Sequence, residues 1–233
     1  MAIGPLTRAL PAPEARAEGV TLFRTLRTRG TSAALAAILA LAACEGGIGT
    51  GAPASVAVAG GALTVAGPAG YCVDRRLSRT GEAEAFVVLG SCAAFSRGAA
   101  RPPGTPAVLT ATVSAEPAAE PERGTLERFL RSPQGRAAIS RAGRAETVEI
   151  LSAQSERDVL FLYIRDSSAA AEGPATDPAY WRAVFGLNGR LVTATVLAFA
   201  DRPLSRDQGF DLLTDFVARL RAANPGAPSG SAS

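Results

Sequence analysis

Residues 180–199 read Tyr180-Trp-Arg-Ala-Val-Phe-Gly-Leu-Asn188-Gly189-Arg-Leu-Val-Thr-Ala-Thr-Val-Leu-Ala-Phe199, two apolar runs hinged on Asn-Gly. Asn-Gly accepts positive φ at both centres of a two-residue turn, and that turn's twist matches paired strands. The register follows. Leu187 faces Arg190, Phe185 faces Val192, Ala183 faces Ala194 and Trp181 faces Val196. The last three pairs share one apolar face, whereas Val184–Thr193 and Arg182–Thr195 make the opposite face mixed. One face buried and one half-wet is the pattern of an antiparallel sheet.

The rest of the chain extends this sheet. A second hairpin is predicted at Val148–Arg165, with Ser155-Glu156-Arg157-Asp158 as its polar turn. Shorter strands fit Ala62–Ala66, Ala85–Gly90 and Ala107–Ser114, each rich in Val, Leu, Phe or Thr and bounded by Gly or Pro. Two segments have helical period. Ser205–Ala223 opens with Ser205-x-x-Gln208, a capping box, and aligns Phe210, Leu213, Val217 and Leu220 with Phe216 beside them. Thr125–Ser140 carries Leu126, Phe129 and Leu130, and Ser132-Pro133 inside it reads as a fresh N-cap and N1, so two short helices are expected. The fold class is therefore α+β: a mostly antiparallel sheet of about six or seven strands packed by two or three helices.

The N-terminus speaks of location. Arg24, Arg27 and Arg29 precede thirteen uncharged residues, Thr31 to Ala43, which end in Leu41-Ala42-Ala43-Cys44. A positive flank, a short apolar run and small residues at a cut site make a secretory signal. Thirteen residues are too few to span a bilayer, which takes about 20. With Cys44 directly after the small residues, residues 24–44 resemble the lipobox signal of a bacterial lipoprotein. The resemblance implies diacylglyceryl transfer to the Cys44 thiol, cleavage before it and acylation of the new amine, palmitate being the usual label. Glu45 rather than Asp after the acceptor implies release to the periplasmic face of the outer membrane, with inner-membrane retention as the alternative. Pro5, Pro11, Pro13, Glu14 and Glu18 are unusual ahead of such a run, and a true start near Val20 would account for them. The expected organisation is a signal over 1–43, a Gly/Ala/Thr-rich tether over 44–55, one domain over 56–223 and a disordered Pro/Gly/Ser/Ala-rich tail over 224–233.

Composition then excludes function classes. Of 24 basic and 21 acidic residues, five and two lie in residues 1–43; the remaining chain holds 19 of each and is neutral. Charge gives no support for nucleic-acid binding. Every basic residue is Arg, with neither Lys nor His. That removes Ser-His-Asp and Cys-His catalysis, imidazole metal ligation, the Walker A lysine and Schiff-base chemistry. Carboxylates, Tyr and Arg remain, but their spacing marks no active site and no oxygen-rich cation loop. No catalytic residue, metal ligand or cofactor is expected.

Cys72 and Cys92 form an even pair in an exported, oxidising setting, and a structural disulfide is the simplest account. The alternatives are two buried thiols or a redox pair, the latter without a C-x-x-C spacing. Tyr71-Cys72-Val73-Asp74-Arg75-Arg76, with Arg79 after it, is the densest polar cluster. Asp74, Arg75 and Arg76 are candidates to grip a phosphate, a carboxylate or a lipid headgroup; the plainer reading is a solvated loop. The arginines between Arg123 and Arg144 alternate with Glu120, Glu122, Glu127 and Glu146, as on a charged helix face. Trp181 joins the core by register, which leaves Tyr180, on the other face, as the freer binding candidate.

A second resemblance covers residues 60–223. The short strand Gly60-Gly-Ala-Leu-Thr-Val, then Pro68, Asp74 and Ser78, then Ala85-Phe-Val-Val-Leu, followed by the hairpins and the closing helix, is similar in order to PsbP-like domains. The resemblance implies an antiparallel sheet sandwiched by helices, and members that bind partners or act as assembly factors rather than catalysts. It carries over no site residue. The expected function is a membrane-anchored, periplasm-facing, non-catalytic binding or assembly module with an envelope protein partner. The alternative is a small-ligand or lipid-binding domain.

Overall fold

In the computed structural model, the described residues are 51–82, 84–115, 123–170 and 176–226. The expected signal and the residues around Cys44 lie outside them. The elements run β1 (Ser55–Val58), β2 (Leu63–Ala66), β3 (Tyr71–Val73), β4 (Ala85–Ser91), α1 (Cys92–Phe95), β5 (Val108–Val113), α2 (Arg123–Arg131), α3 (Pro133–Ile139), β6 (Val148–Glu156), β7 (Val159–Asp166), β8 (Ala179–Leu187), β9 (Arg190–Leu197) and α4 (Arg206–Ala222). Seven strands make one antiparallel sheet in the order β3-β4-β5-β9-β8-β7-β6, and β1-β2 form a separate hairpin. The class is α+β.

The Asn188-Gly189 turn takes φ values of 48° and 71°, and every pair read from the sequence is present, from Leu187–Arg190 to Trp181–Val196. A left-handed turn needs residues that tolerate positive φ, and these two do. The Val148–Arg165 hairpin also forms, with a tighter turn than expected. Glu156 pairs with Val159, so Ser155 and Glu156 belong to the strand and Arg157-Asp158 alone reverse the chain.

The apolar face of the sheet carries Trp181, Ala183, Phe185, Val192, Ala194 and Val196, all buried. Helix α4 covers it with Leu212, Leu213, Phe216, Val217 and Leu220, and β1-β2 add Val58, Leu63 and Val65 to the same core. The helix starts where the capping box places it: Ser205 accepts from Gln208 N–H at 3.1 Å and Gln208 returns the bond at 3.0 Å. Trp181 N–H donates to the Arg206 carbonyl at 2.8 Å. Its ring sits so close to α4 that a Cβ on Gly209 would lie 2.9 Å from it, which is why the helix tolerates a glycine in its second turn.

The opposite face holds a second core: Leu160, Leu162, Ile164, Tyr180 and Val184 under Leu130 and Ile139 of α2 and α3. Ser132 separates those helices and caps the second by accepting from Gly135 N–H at 3.1 Å, as its Ser-Pro sequence predicts. Phe129 leaves the expected stripe and stands 49 % exposed, since Leu126 and Leu130 take the inward positions.

Three boundaries move. Asn224, expected to open a disordered tail, is buried; it accepts from Thr64 N–H and donates to the Thr64 carbonyl, both at 2.7 Å, so its amide completes the pairing of β2. Residues 227–233 lie outside the described ones. At the other end, β1 begins at Ser55, and the Pro53 carbonyl accepts from Val73 N–H at 2.7 Å. The tether thus stops short of Pro53. Third, Tyr71-Cys72-Val73, read as part of a polar loop, is a buried edge strand.

Candidate functional site

Beside that edge strand, the disulfide does its structural work. Cys72 lies on β3 and Cys92 opens α1; they are bridged, with Cα atoms 4.9 Å apart. The bridge and a bond from Cys92 N–H to the Gly70 carbonyl, 2.8 Å, fix a one-turn helix that has too few residues to hold itself. Phe95 of that turn lies over Gly90 of β4. Leu77, Val88, Pro106, Val108 and Phe199 complete an apolar cleft of about 260 Å³, and Asp74 is the charged residue on its wall. Breaking the bridge should cost about 3 kcal/mol, because the denatured chain regains the freedom of a closed loop of some twenty residues. Urea midpoints of the oxidised protein and the Cys72→Ser/Cys92→Ser double variant measure this; equal midpoints would rule it out.

The loop over the cleft is tied by hydrogen bonds within itself and to β4. The Asp74 carboxylate accepts from the backbone N–H groups of Arg76 (2.9 Å) and Leu77 (3.3 Å). Ser78 Oγ donates to the Asp74 carbonyl at 2.6 Å and accepts from Val88 N–H at 2.9 Å, and Arg79 bridges to Phe86 on β4. Asp74 therefore shapes the loop through Oδ1 while standing on the cleft wall. Arg75 and Arg76 point out, exposed, with no ion pair among the described residues. Leu77 stands between these cations and Arg79, 61 % exposed.

Tyr180 is not on this surface. It is 2 % exposed, its hydroxyl donates to the Ile139 carbonyl at 3.3 Å, and its ring is held between the guanidiniums of Arg141 (5.0 Å) and Arg182 (5.3 Å). Helix α3 covers the face on which the alternation placed it, and the strand pattern alone carries no sign of that helix. Burial pushes its hydroxyl pKa up. It is a packing residue.

Below it, Asp166 is fully buried and accepts from Arg141 N–H (2.7 Å), Ser168 N–H (3.0 Å) and Ser168 Oγ (2.6 Å). Burial alone would raise its pKa, but these bonds and one from Thr147 together hold the carboxyl below its ordinary value. A depressed folded pKa contributes stability in full above the unfolded value of about 3.9, lost as pH falls through the lower folded one. Unfolding free energies between pH 7 and pH 2 should fall in that window, and Asp166→Asn should flatten this contribution while costing about 1–3 kcal/mol at neutral pH. An unchanged acid limb in the variant would contradict the assignment.

Other hollows, of about 400, 470 and 410 Å³, are bordered by charge: Arg131, Arg136, Glu146 and Glu149 in the first, Arg221 in the other two. Among the described residues no group of His, Cys, Asp and Glu is placed to hold a metal, and no helix is long and apolar enough to cross a membrane. Set against family models, curated proteins and solved structures, the chain matches none.

Sequence reasoning reached Asp74, Arg75 and Arg76 but missed the apolar half of the site. Phe95, Pro106, Val108 and Phe199 come from three separate segments with no shared local signature. Leu77, alone among arginines, was the one readable sign.

Proposed function

We propose that this chain is a membrane-anchored, periplasm-facing lipoprotein whose folded domain is a non-catalytic binding or assembly module of the cell envelope. The observation that carries the reading is the cleft under Leu77. It is more apolar than the three charge-bordered hollows, and its volume of about 260 Å³ suits one or two inserted side chains. Sites that enclose a small molecule usually offer about 300–1,000 Å³. Protein partners are gripped through such anchor pockets, where a buried side chain supplies most of the binding energy. The absence of Lys and His from the whole sequence and the PsbP-like order of elements support the same reading.

A photo-crosslinking residue at Pro106, on the cleft rim, tests it in cells when the lipidated protein is then affinity-purified. The expected product is a stoichiometric adduct with one envelope protein, weakened in the background of Val108→Ser and missing from a probe at Ser155 on the far edge strand β6. Recovery of a co-purifying lipid or metabolite, with no protein adduct, would overturn the proposal in favour of a small-ligand carrier.

A further inference from the structure

We infer that the loop Asp74–Arg79 is a membrane-contact surface that rests on the bilayer holding the anchor, with Leu77 entering the headgroup layer and Arg75, Arg76 and Arg79 meeting anionic lipid. The inference rests on the lipid-anchor reading of Cys44 and adds to it an orientation and a lipid class.

The argument starts where the chain enters the domain. Pro53 is hydrogen-bonded to Val73, the last residue of β3, and the next residues are the loop itself. Pro53 follows Cys44 by nine positions, with eight residues between them. Such a segment reaches at most about 32 Å fully extended and about 15–18 Å on average as a relaxed Gly-rich chain. The anchor thus enters at the sheet edge that carries the loop, and β6, six strand spacings away, lies about 29 Å further across the sheet. Of the two edges, the β3 edge is the one that faces the bilayer.

The chemistry of the loop suits that surface. Leu77 is one of two large apolar side chains substantially exposed among the described residues, and the hydrogen bonds of Asp74 and Ser78 keep the loop from folding it away. Asp74 accepts from two backbone N–H groups through one oxygen and keeps its charge, and against Arg75, Arg76 and Arg79 it leaves residues 74–79 at a net charge of +2. Glu82 and Glu84 belong to the next turn, beyond the Arg79–Phe86 bridge. Guanidinium groups near an anionic surface each strengthen attachment, and an apolar side chain between them gains by leaving water. A pre-formed loop also avoids the ordering cost that a mobile one would meet.

The test uses the protein purified from membranes, with Leu77→Cys or Ser155→Cys carrying an environment-sensitive fluorophore. The native cysteines do not compete, since Cys72 and Cys92 are bridged and Cys44 is acylated on the anchor reading. The protein is reconstituted into phosphatidylcholine vesicles with or without phosphatidylglycerol, each containing spin-labelled lipid. The expected result is a blue shift and loss of most emission for the label at 77 in the anionic vesicles, with little change at 155. Replacing Arg75, Arg76 and Arg79 together by Glu should restore the emission at 77. Equal quenching at both positions, or none at 77, would overturn the inference. Intact mass separates the two readings. A protein without the diacylglyceryl mass defeats the anchor alone; the same labelled protein added free to the anionic vesicles then decides the loop, which fails if position 77 stays in water.

Discussion

Cys44→Ser should leave the full precursor uncut, abolish palmitate incorporation and release the protein from the membrane fraction. On the lipid-anchor proposal the effect is all-or-none, because the thiol would be the acyl acceptor and no other residue near the proposed cut site could replace it. Two or three acyl chains bury enough methylenes, at about 0.8 kcal/mol each, for anchoring that a single chain cannot give. Loss of that attachment cannot be made good by the folded domain, whose weak surface contacts would act only once it is already near the bilayer. Metabolic labelling and fractionation read the outcome directly; continued labelling of the serine variant would refute the lipoprotein assignment. A precursor whose sequence begins at Met1 would likewise rule out the proposed start near Val20.

Phe216→Ala should destabilise the domain by about 3–5 kcal/mol, a large part of the total for a chain of this size. Phe216 is 0 % exposed and sits between α4 and the apolar face of the sheet, in the core that also includes Phe185, Leu213 and Leu220. Its removal leaves a cavity that the sheet, tied by ladders on both sides, cannot close. Phe129→Ala provides the contrast. The same ring is lost from a site 49 % exposed on α2, so the expected change is within about 0.5 kcal/mol. Urea denaturation of the two variants beside the parent measures the difference; similar costs would mean that α4 does not anchor the core as described.

Much of the fold was legible because its strongest signals are local. A hairpin turn, an alternating pair of strands, a capping box and a Ser-Pro cap each depend on neighbours within a few residues, and each stands where the sequence put it. What was missed depends on contacts far apart in the chain. Strand β1 and the three-residue β3 have too little sequence to show a period, and they exist because Asn224, Pro53 and β4 pair with their neighbours. Helix α1 is held by a disulfide and one backbone bond rather than by propensity.

The candidate site divides along the same line. The amino-acid sequence alone determined which chemistry is missing, since no arrangement in space supplies an imidazole or an ammonium that the chain lacks. It also determined the pairing of β8 with β9, whose turn chemistry and alternation admit one register. Tertiary structure decided which polar residues are free. Tyr180 and Asp74 were both read as binding candidates, yet helix α3 buries the first and the turn at 74–78 engages the second, because unpaired backbone groups and open apolar faces are costly and draw in whatever can cover them. It also decided that Leu77, Val88, Phe95, Pro106, Val108 and Phe199 share one cleft: their segments meet only when β4 and β5 pair and the Cys72–Cys92 bridge holds α1 beside them.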